Sequence, residues 1–195
     1  MTLRQTLMKL AYPFIVGLSK LAGMAGSVQN ENRVVPIQSI YELEIELNNG
    51  EMLDLETLRG KKILIVNTAS NCGYTGQYAE LQKLHEQFHE KLVIIGFPAN
   101  DFKEQEKAND AEIAKFCLVN YGVSFPLAKK SSVTKGLGQH PVFDWLTHKQ
   151  QNGWNGRHPS WNFSKYLVNE VGMLTHYFST SVSPLDAEVI TAIKT

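Results

Sequence analysis

The sequence predicts one α/β domain with a central mixed sheet flanked by helices. Two near-continuous apolar runs, residues 61–66 and 92–97, have the pattern of strands covered on both faces. Apolar residues recur at helical spacing between and after these runs, and a predicted hairpin then precedes a last helix. With 195 residues and 43% hydrophobic content, the chain can bury one good core.

The domain is predicted to open with a β-hairpin. Residues 40–47 alternate apolar and polar side chains, which is typical of a half-buried strand. Asn49-Gly50 supplies a tight turn, and residues 52–55 return as the second strand. The central strand at residues 61–66 follows.

A helix is predicted after each of the two central strands. The first begins near Gly76, and the second spans residues 109–120. Asn109, with Glu112 three residues later, can cap the second helix, which ends by Gly122. The apolar face of the first helix consists of Tyr78, Leu81, Leu84 and Phe88. The apolar face of the second consists of Ile113, Phe116 and Cys117.

The end of the chain is predicted to form a hairpin and a helix. Residues 166–168 and 174–178 are strands joined through Gly172, and Ser183-Pro184 opens the last helix. The complete order of elements contains both parallel and antiparallel strands. A thioredoxin-like sheet fits this order.

The first 34 residues form a separate segment and linker, and residues 35–195 form the domain. Arg4 and Lys9 precede an apolar stretch and then a run of small residues, which is the layout of a secretory signal with cleavage after Ala25 or Ser27. The apolar stretch is short for a bilayer, which needs about 20 residues. Because Lys20 interrupts the pattern, the alternative is an amphipathic helix that lies on the membrane or on the protein. The pattern of this segment therefore favours export of the protein to the periplasm, and the alternative is that the protein stays in the cytoplasm.

Charge and cysteine content exclude two classes of protein. Nineteen basic and nineteen acidic residues cancel, so no overall field favours a nucleic acid or anionic lipid. Two cysteines are too few for a disulfide scaffold.

One motif resembles a zinc site, but its context argues against metal binding. Residues 85–89, His-Glu-Gln-Phe-His, place two histidines one helical turn apart, as in zinc proteases. The extended motif would need Gly and His where Leu92 and Ile95 stand. These histidines are therefore predicted to lie on the surface, and no metal or other cofactor is expected. The remaining histidines, which show no ligand spacing, are His140, His148, His158 and His176.

Cys72 is the candidate nucleophile. It lies in a small-residue turn between the first central strand and the helix near Gly76. A thiol close to the positive end of a helix dipole is favoured as thiolate, which is the reactive form. The alternative is that Cys72 is a small buried apolar residue.

Three further residues are candidate partners of the thiolate. Gln105 follows the second central strand, and Trp161-Asn162 precedes a later strand, so the topology brings them towards the Cys72 turn. Their uncharged N–H donors can stabilise the anions of peroxide cleavage without burying another full charge. Taken singly, they have ordinary alternatives: a surface amide, a core ring and a turn residue.

At these residues the chain resembles the glutathione peroxidase family. The matching segments are residues 66–75, 96–102, 105–106, 116–126 and 161–168. The resemblance implies a thioredoxin-like fold, reduction of hydrogen peroxide or organic hydroperoxides, and a catalytic tetrad of Cys72, Gln105, Trp161 and Asn162. It also implies a monomer, because the chain is short between Leu146 and Trp161.

Three departures from the family pattern lie near the site. Ala99 stands where many relatives have a cysteine, so that thiol cannot be essential here. Asp101 replaces a common glutamine, and Lys107-Ala108 replaces the usual Pro-Gly. The last two changes lie beside Gln105.

The resemblance also places Cys117 at the resolving position of relatives that use thioredoxin as reductant. The periodicity of its helix alone favours a packed apolar residue, and both interpretations can hold together. Since a disulfide needs Cα atoms within about 7 Å, oxidation of Cys72 is expected to loosen the helix at residues 109–120. Cys117, and the lack of an evident arginine cluster, favour thioredoxin over glutathione. Two alternatives stay open: a redox relay to a partner protein, and an exported domain with a static Cys72–Cys117 bridge.

Overall fold

A computed structural model describes residues 2–21 and 26–195. Its main sheet has five strands in the order β1-β7-β6-β4-β5, and β2 and β3 form a separate two-stranded sheet. The strands are Ser27–Gln29 (β1), Glu44–Glu46 (β2), Met52–Asp54 (β3), Lys62–Thr68 (β4), Leu92–Pro98 (β5), Lys165–Val168 (β6) and Leu174–Phe178 (β7). The helices are Leu3–Leu21 (α1), Gln77–Phe88 (α2), Asp110–Tyr121 (α3), Pro141–Thr147 (α4), Lys149–Asn152 (α5) and Ala187–Lys194 (α6).

The apolar runs form the centre of the sheet, as predicted. Strands β4 and β5 pair in parallel, and β6 pairs with β4 in the antiparallel sense. Alternate residues of β4 enter two separate cores: Leu64 and Val66 pack on one face of the sheet, and Ile63 and Ile65 on the other. Helices α2, α3 and α6 supply residues to the first core, and α4 supplies residues to the second. The arrangement is the thioredoxin-like fold that the sequence predicts.

The N-terminal hairpin forms, but its first strand is shorter than predicted. Residues 40–42 form a 3-10 turn, and only Glu44–Glu46 pairs with β3. The prediction of a strand from residue 40 is wrong because Ile40 and Tyr41 are both buried, which an alternating strand exposed on one face does not allow. The Ser39 side chain accepts a hydrogen bond from the Tyr41 N–H and so caps the turn.

The ends of α3 are confirmed, whereas the start of α6 is displaced. Asn109 and Glu112 form the predicted reciprocal capping box, and Gly122 ends α3 in a left-handed conformation at φ +66°. The last helix begins only at Ala187, not at Ser183-Pro184. The Ser183 hydroxyl accepts from the Leu185 N–H at 3.1 Å in a turn before the helix, and it donates to a carboxylate oxygen of Glu80 at 2.7 Å.

The first 34 residues contribute both a helix and an edge strand. Helix α1 packs Tyr12 into the protein, and β1 pairs with β7 in the antiparallel sense. The predicted cleavage position at Ala25 lies outside the described residues, so the division at residue 34 stays a prediction. Within the described ranges, no helix has both the length and the apolar content to cross a membrane.

A buried lysine stabilises the turn that precedes β6. Lys165 is fully buried, and its Nζ donates to the carbonyl oxygens of Phe163 and Val182 at 2.7 and 2.6 Å. Burial lowers the pKa of Lys165 to about 7, although Glu80, Asp186 and Glu188 favour the charged form.

We expect Lys165→Met to lower the free energy of unfolding by about 3 kcal/mol, because buried carbonyl groups lose their donor. Urea denaturation of both proteins measures this change. Lys129→Met is the control, since the exposed Lys129 pairs only with Glu46 and such pairs contribute about 0 to 1 kcal/mol. Equal losses in the two variants would contradict the structural role of Lys165.

Candidate active site

Three chain segments meet at one edge of the sheet. The parallel strands β4 and β5 both end there, and the antiparallel strand β6 begins there. The turn after β4 contains Cys72, the loop after β5 contains Gln105, and the turn before β6 contains Trp161 and Asn162. The topology therefore brings together segments that are far apart in sequence.

Thr75 fixes the turn that contains Cys72. Its hydroxyl accepts a hydrogen bond from the Cys72 N–H at 2.9 Å and lies 2.7 Å from the Cys72 carbonyl oxygen and 3.0 Å from that of Ala69. The side chain thus satisfies backbone groups that no strand or helix pairs. The sequence interpretation gave Thr75 no role, although a hydroxyl three residues after the cysteine is a typical turn residue.

The Cys72 sulfur is buried beneath several N–H donors. The Tyr74 N–H lies 3.5 Å from Sγ, and the side chains of Trp161 and Asn162 lie close enough to the sulfur to lower the pKa of the thiol. Burial raises the pKa of Cys72 above its ordinary value, while these donors and the Gly73 N–H lower it. The expected dipole-lowered pKa is therefore wrong in direction. Helix α2 begins only at Gln77, and the dipole effect falls off within one turn of a helix end.

Gln105 reaches the site through Asn162. The Asn162 side-chain amide donates to Gln105 Oε1 at 2.9 Å, and the Asn71 N–H donates to the Gln105 carbonyl at 3.1 Å. Asp101, which departs from the family pattern, lies to one side and accepts hydrogen bonds from Ser132, Val133 and Thr134. Asp101 therefore anchors the start of the loop, and Gln105 lies beside Asn162.

Asn67, at the end of β4, holds the Trp161–Asn162 turn. Its side-chain amide donates to the Trp161 carbonyl at 3.1 Å, and its Oδ1 accepts from the Ser164 N–H at 3.0 Å. Phe163 lies between them with φ +65°, a conformation that non-glycine residues rarely adopt. The turn is therefore held by specific hydrogen bonds in an unfavourable backbone conformation.

Glu106 connects the Cys72 turn to the Gln105 loop and had no assigned role in the sequence interpretation. Its buried carboxylate accepts from the Ser70 N–H at 2.7 Å and from the Ser70 hydroxyl at 2.6 Å. Burial raises the pKa of Glu106 to about 7, opposed by the Ser70 hydrogen bonds and Lys130, while Asp110 adds to the rise. Glu106 lies in a loop rich in charged residues, and such a position predicts an exposed side chain. Its burial becomes evident only in the folded chain, where it contacts Ser70.

We expect Glu106→Gln to remove a pH dependence of stability. Because the folded pKa exceeds the ordinary value of 4.5, the free energy of unfolding should fall as pH rises from about 4.5 to about 7 and then level off. A rise from 4.5 to about 7 corresponds to about 3 kcal/mol or less. Urea denaturation between these pH values tests this, with the exposed neighbour Glu104→Gln as control. Parallel profiles for wild type and Glu106→Gln would contradict the prediction.

Cys117 lies in the same core as Cys72. Both cysteines are buried, free thiols, which does not support a static bridge between them. Burial raises the pKa of Cys117 to about 12, and the negative charge of Glu106 adds to this effect, whereas Tyr78 opposes it. The thiol faces the core from α3, as the helical periodicity predicts.

The zinc-like motif lies at the C-terminal end of α2. His85, in the last turn of α2, is half-buried, so the surface prediction is wrong for it; His89 is exposed just beyond Phe88, and its Nδ1 lies 3.1 Å from the Glu86 carbonyl oxygen. Among the residues that the structure describes, no cluster of three or more His, Cys, Asp or Glu side chains could hold a metal ion.

Two cavities flank the site. One, of about 380 Å³, has Asn71, Gln105 and Lys107 in its wall together with Thr2 and Gln5 of the N-terminal segment. The other, of about 360 Å³, is lined by Tyr74, Trp161 and residues 179–181. Both therefore adjoin candidate catalytic residues.

The fold and the cysteine turn define a thioredoxin-like thiol oxidoreductase. The glutathione peroxidase family model matches residues 40–147. A glutathione peroxidase homolog, BsaA of Staphylococcus epidermidis, is 42% identical over 149 residues, which cover 76% of this chain and 93% of that protein. Glutathione peroxidase-like peroxiredoxin 2 of Saccharomyces cerevisiae is 40% identical over 154 residues, covering 77% and 94%. The chain belongs to the glutathione peroxidase family.

A solved structure confirms the fold. The crystal structure of Trgpx in its apo form is 30% identical, with a TM-score of 0.61, and the match covers 82% of this chain and 97% of that one. Cys72, Gln105 and Cys117 lie inside the residues matched by the family model, whereas Trp161 and Asn162 lie beyond them. Hydrogen bonds to Asn67 and Gln105 hold the Trp161–Asn162 turn beside the Cys72 turn independently of that match.

Proposed function

We propose that this protein is a thiol peroxidase in which Cys72 reduces hydrogen peroxide and organic hydroperoxides. The observation that supports this most directly is the set of N–H donors around the Cys72 sulfur, from Tyr74, Trp161 and Asn162. Such donors stabilise negative charge on sulfur and on a departing oxygen without introducing a second buried charge.

The first step oxidises Cys72. The thiolate attacks one peroxide oxygen, an S–O bond forms, and the O–O bond breaks. The other oxygen leaves as hydroxide or alkoxide and takes a proton, giving water or an alcohol, while Cys72 becomes a sulfenic acid. Trp161 and Asn162 donate to the developing charges, and Gln105 orients Asn162 through their 2.9 Å hydrogen bond.

The second step uses Cys117. Its thiolate attacks the Cys72 sulfur, a disulfide forms, the S–O bond breaks, and the departing hydroxide takes up the proton that the Cys117 thiol released, giving water. A dithiol protein such as thioredoxin then reduces the disulfide and is itself oxidised. Among the described residues, neither cavity beside the site is lined by arginine, whose planar group pairs with a carboxylate through two hydrogen bonds, and Lys103 and Lys107 are the cations in the wall of one of them.

Steady-state peroxide consumption with each reductant tests this assignment. We expect the thioredoxin system to support turnover at least about tenfold faster than glutathione, because the disulfide route supplies a ready substrate for a dithiol. Equal or faster turnover with glutathione would contradict it. The monomeric state and the periplasmic location stay predictions, which sedimentation and N-terminal sequencing of the mature protein would test.

A further inference from the structure

Helix α1 has an apolar face that the protein does not cover. Five side chains at intervals of three or four residues lie on this outer face, and they are 58 to 80% exposed. They are Leu3, Leu7, Leu10, Phe14 and Leu18. An apolar stripe of this length on an exposed helix marks an interaction surface.

The opposite face of α1 packs against the turn that contains Cys72. Tyr12 is buried, and its hydroxyl donates to a Glu80 carboxylate oxygen at 2.8 Å. A Cβ atom at Gly76 would lie only 2.7 Å from the Tyr12 ring, so the absence of a side chain there makes room for the helix. Gln5 also donates to the Ser70 carbonyl at 3.3 Å. The inner face is thus fitted to the catalytic turn.

The charge of the N-terminal segment indicates which kind of surface α1 binds. Residues 1–30 contain three basic residues and no acidic ones, whereas the complete chain is neutral. A basic segment with an apolar helix face is complementary to a surface of anionic lipid, in which the helix lies parallel to the bilayer. The rest of the chain has three more acidic than basic residues, spread over 165 residues, so a second copy would attract the basic segment less strongly than the dense charge of an anionic lipid surface.

We propose that the outer face of α1 docks on an anionic lipid surface and presents the catalytic turn to it. The inner face of the same helix contacts Ser70 and Gly76, which flank Cys72. Because a helix with its side chains is about 10 Å in diameter, docking holds this turn roughly that far from the lipid headgroups. The interaction is separate from the proposed peroxidase chemistry, and it takes α1 as retained in the mature protein, which is the alternative to cleavage after Ala25 or Ser27.

Vesicle flotation of the full chain tests the proposal, with vesicles of phosphatidylcholine alone and with added phosphatidylglycerol. We expect binding only when phosphatidylglycerol is present, and weaker binding as salt concentration rises. The double variant Leu7→Asn with Phe14→Asn should bind roughly a hundredfold more weakly, because it loses two apolar side chains that the lipid would bury. Its consumption of a soluble peroxide without vesicles should match that of the wild type.

The matched control replaces two exposed apolar residues outside α1, Leu137→Asn with Val171→Asn, and should bind as the wild type does. Tyr12→Phe, on the inner face, should also leave binding unchanged. Binding that is equal in both double variants, or equal on neutral and anionic vesicles, would overturn the proposal. So would concentration-dependent self-association that only the α1 variant abolishes, because the face would then join two copies.

Discussion

Replacing Cys72 by serine is expected to lower the rate of peroxide consumption by roughly a thousandfold or more, because an alcohol at this position is hardly ionised at neutral pH and is a far weaker nucleophile. The hydrogen bonds around the turn should persist, since Thr75 binds only backbone groups of residues 69 and 72. The fold of the variant should therefore match that of the wild type.

The measurement is consumption of hydrogen peroxide with the thioredoxin system at saturating reductant. Circular dichroism and urea denaturation of the same samples separate a loss of chemistry from a loss of fold. Cys117→Ser, which removes the other buried thiol, is the matched control in a single-turnover reaction with one equivalent of peroxide, where it should oxidise Cys72 at the wild-type rate although it cannot turn over with thioredoxin. A Cys72→Ser protein that consumes peroxide at the wild-type rate would refute Cys72 as the nucleophile.

The parts of the fold that follow from local chemistry could be predicted from the sequence. The apolar runs of β4 and β5 identify strands buried on both faces, and Asn109 with Glu112 defines the start of α3 within one turn of helix. The start of α6 could not be located in this way. Ser183 looks like a helix cap, but its hydroxyl bonds Glu80, about a hundred residues earlier, and that contact exists only in the folded chain.

The same difference between local sequence and contacts of the folded chain explains which candidate site residues could be predicted. Cys72, Gln105 and Trp161 lie next to strand ends, so the sheet topology brings them together once the strands are known. Glu106 stands in a charged loop, and its burial depends on Ser70, which lies in another loop. The direction of the Cys72 pKa was mispredicted for a related reason: local sequence indicates a helix start but not how deeply the sulfur is buried.

Replacing Cys117 by serine is expected to stop thioredoxin-dependent turnover while the first oxidation of Cys72 proceeds at the wild-type rate. The loss should be at least about a hundredfold, because the sulfenic acid then has no second thiol with which to form a disulfide. Rapid mixing with one equivalent of peroxide measures the first oxidation, and steady-state consumption measures turnover. If glutathione sustained full turnover in Cys117→Ser, the resolving role would be wrong.

Formation of that disulfide should also open helix α3. Cys117 is buried against Tyr78 in the middle of the helix, whereas bonding to Cys72 requires the two Cα atoms to lie within about 7 Å. The thiol must also ionise from a pKa of about 12 in this buried position, and local unwinding removes the desolvation that raises it. We therefore expect faster hydrogen exchange of the amides of α3 in the oxidised protein, with α2 as the internal reference. Equal protection of α3 in oxidised and reduced protein would show that the disulfide forms without unwinding, because the cysteines then already lie within bonding distance.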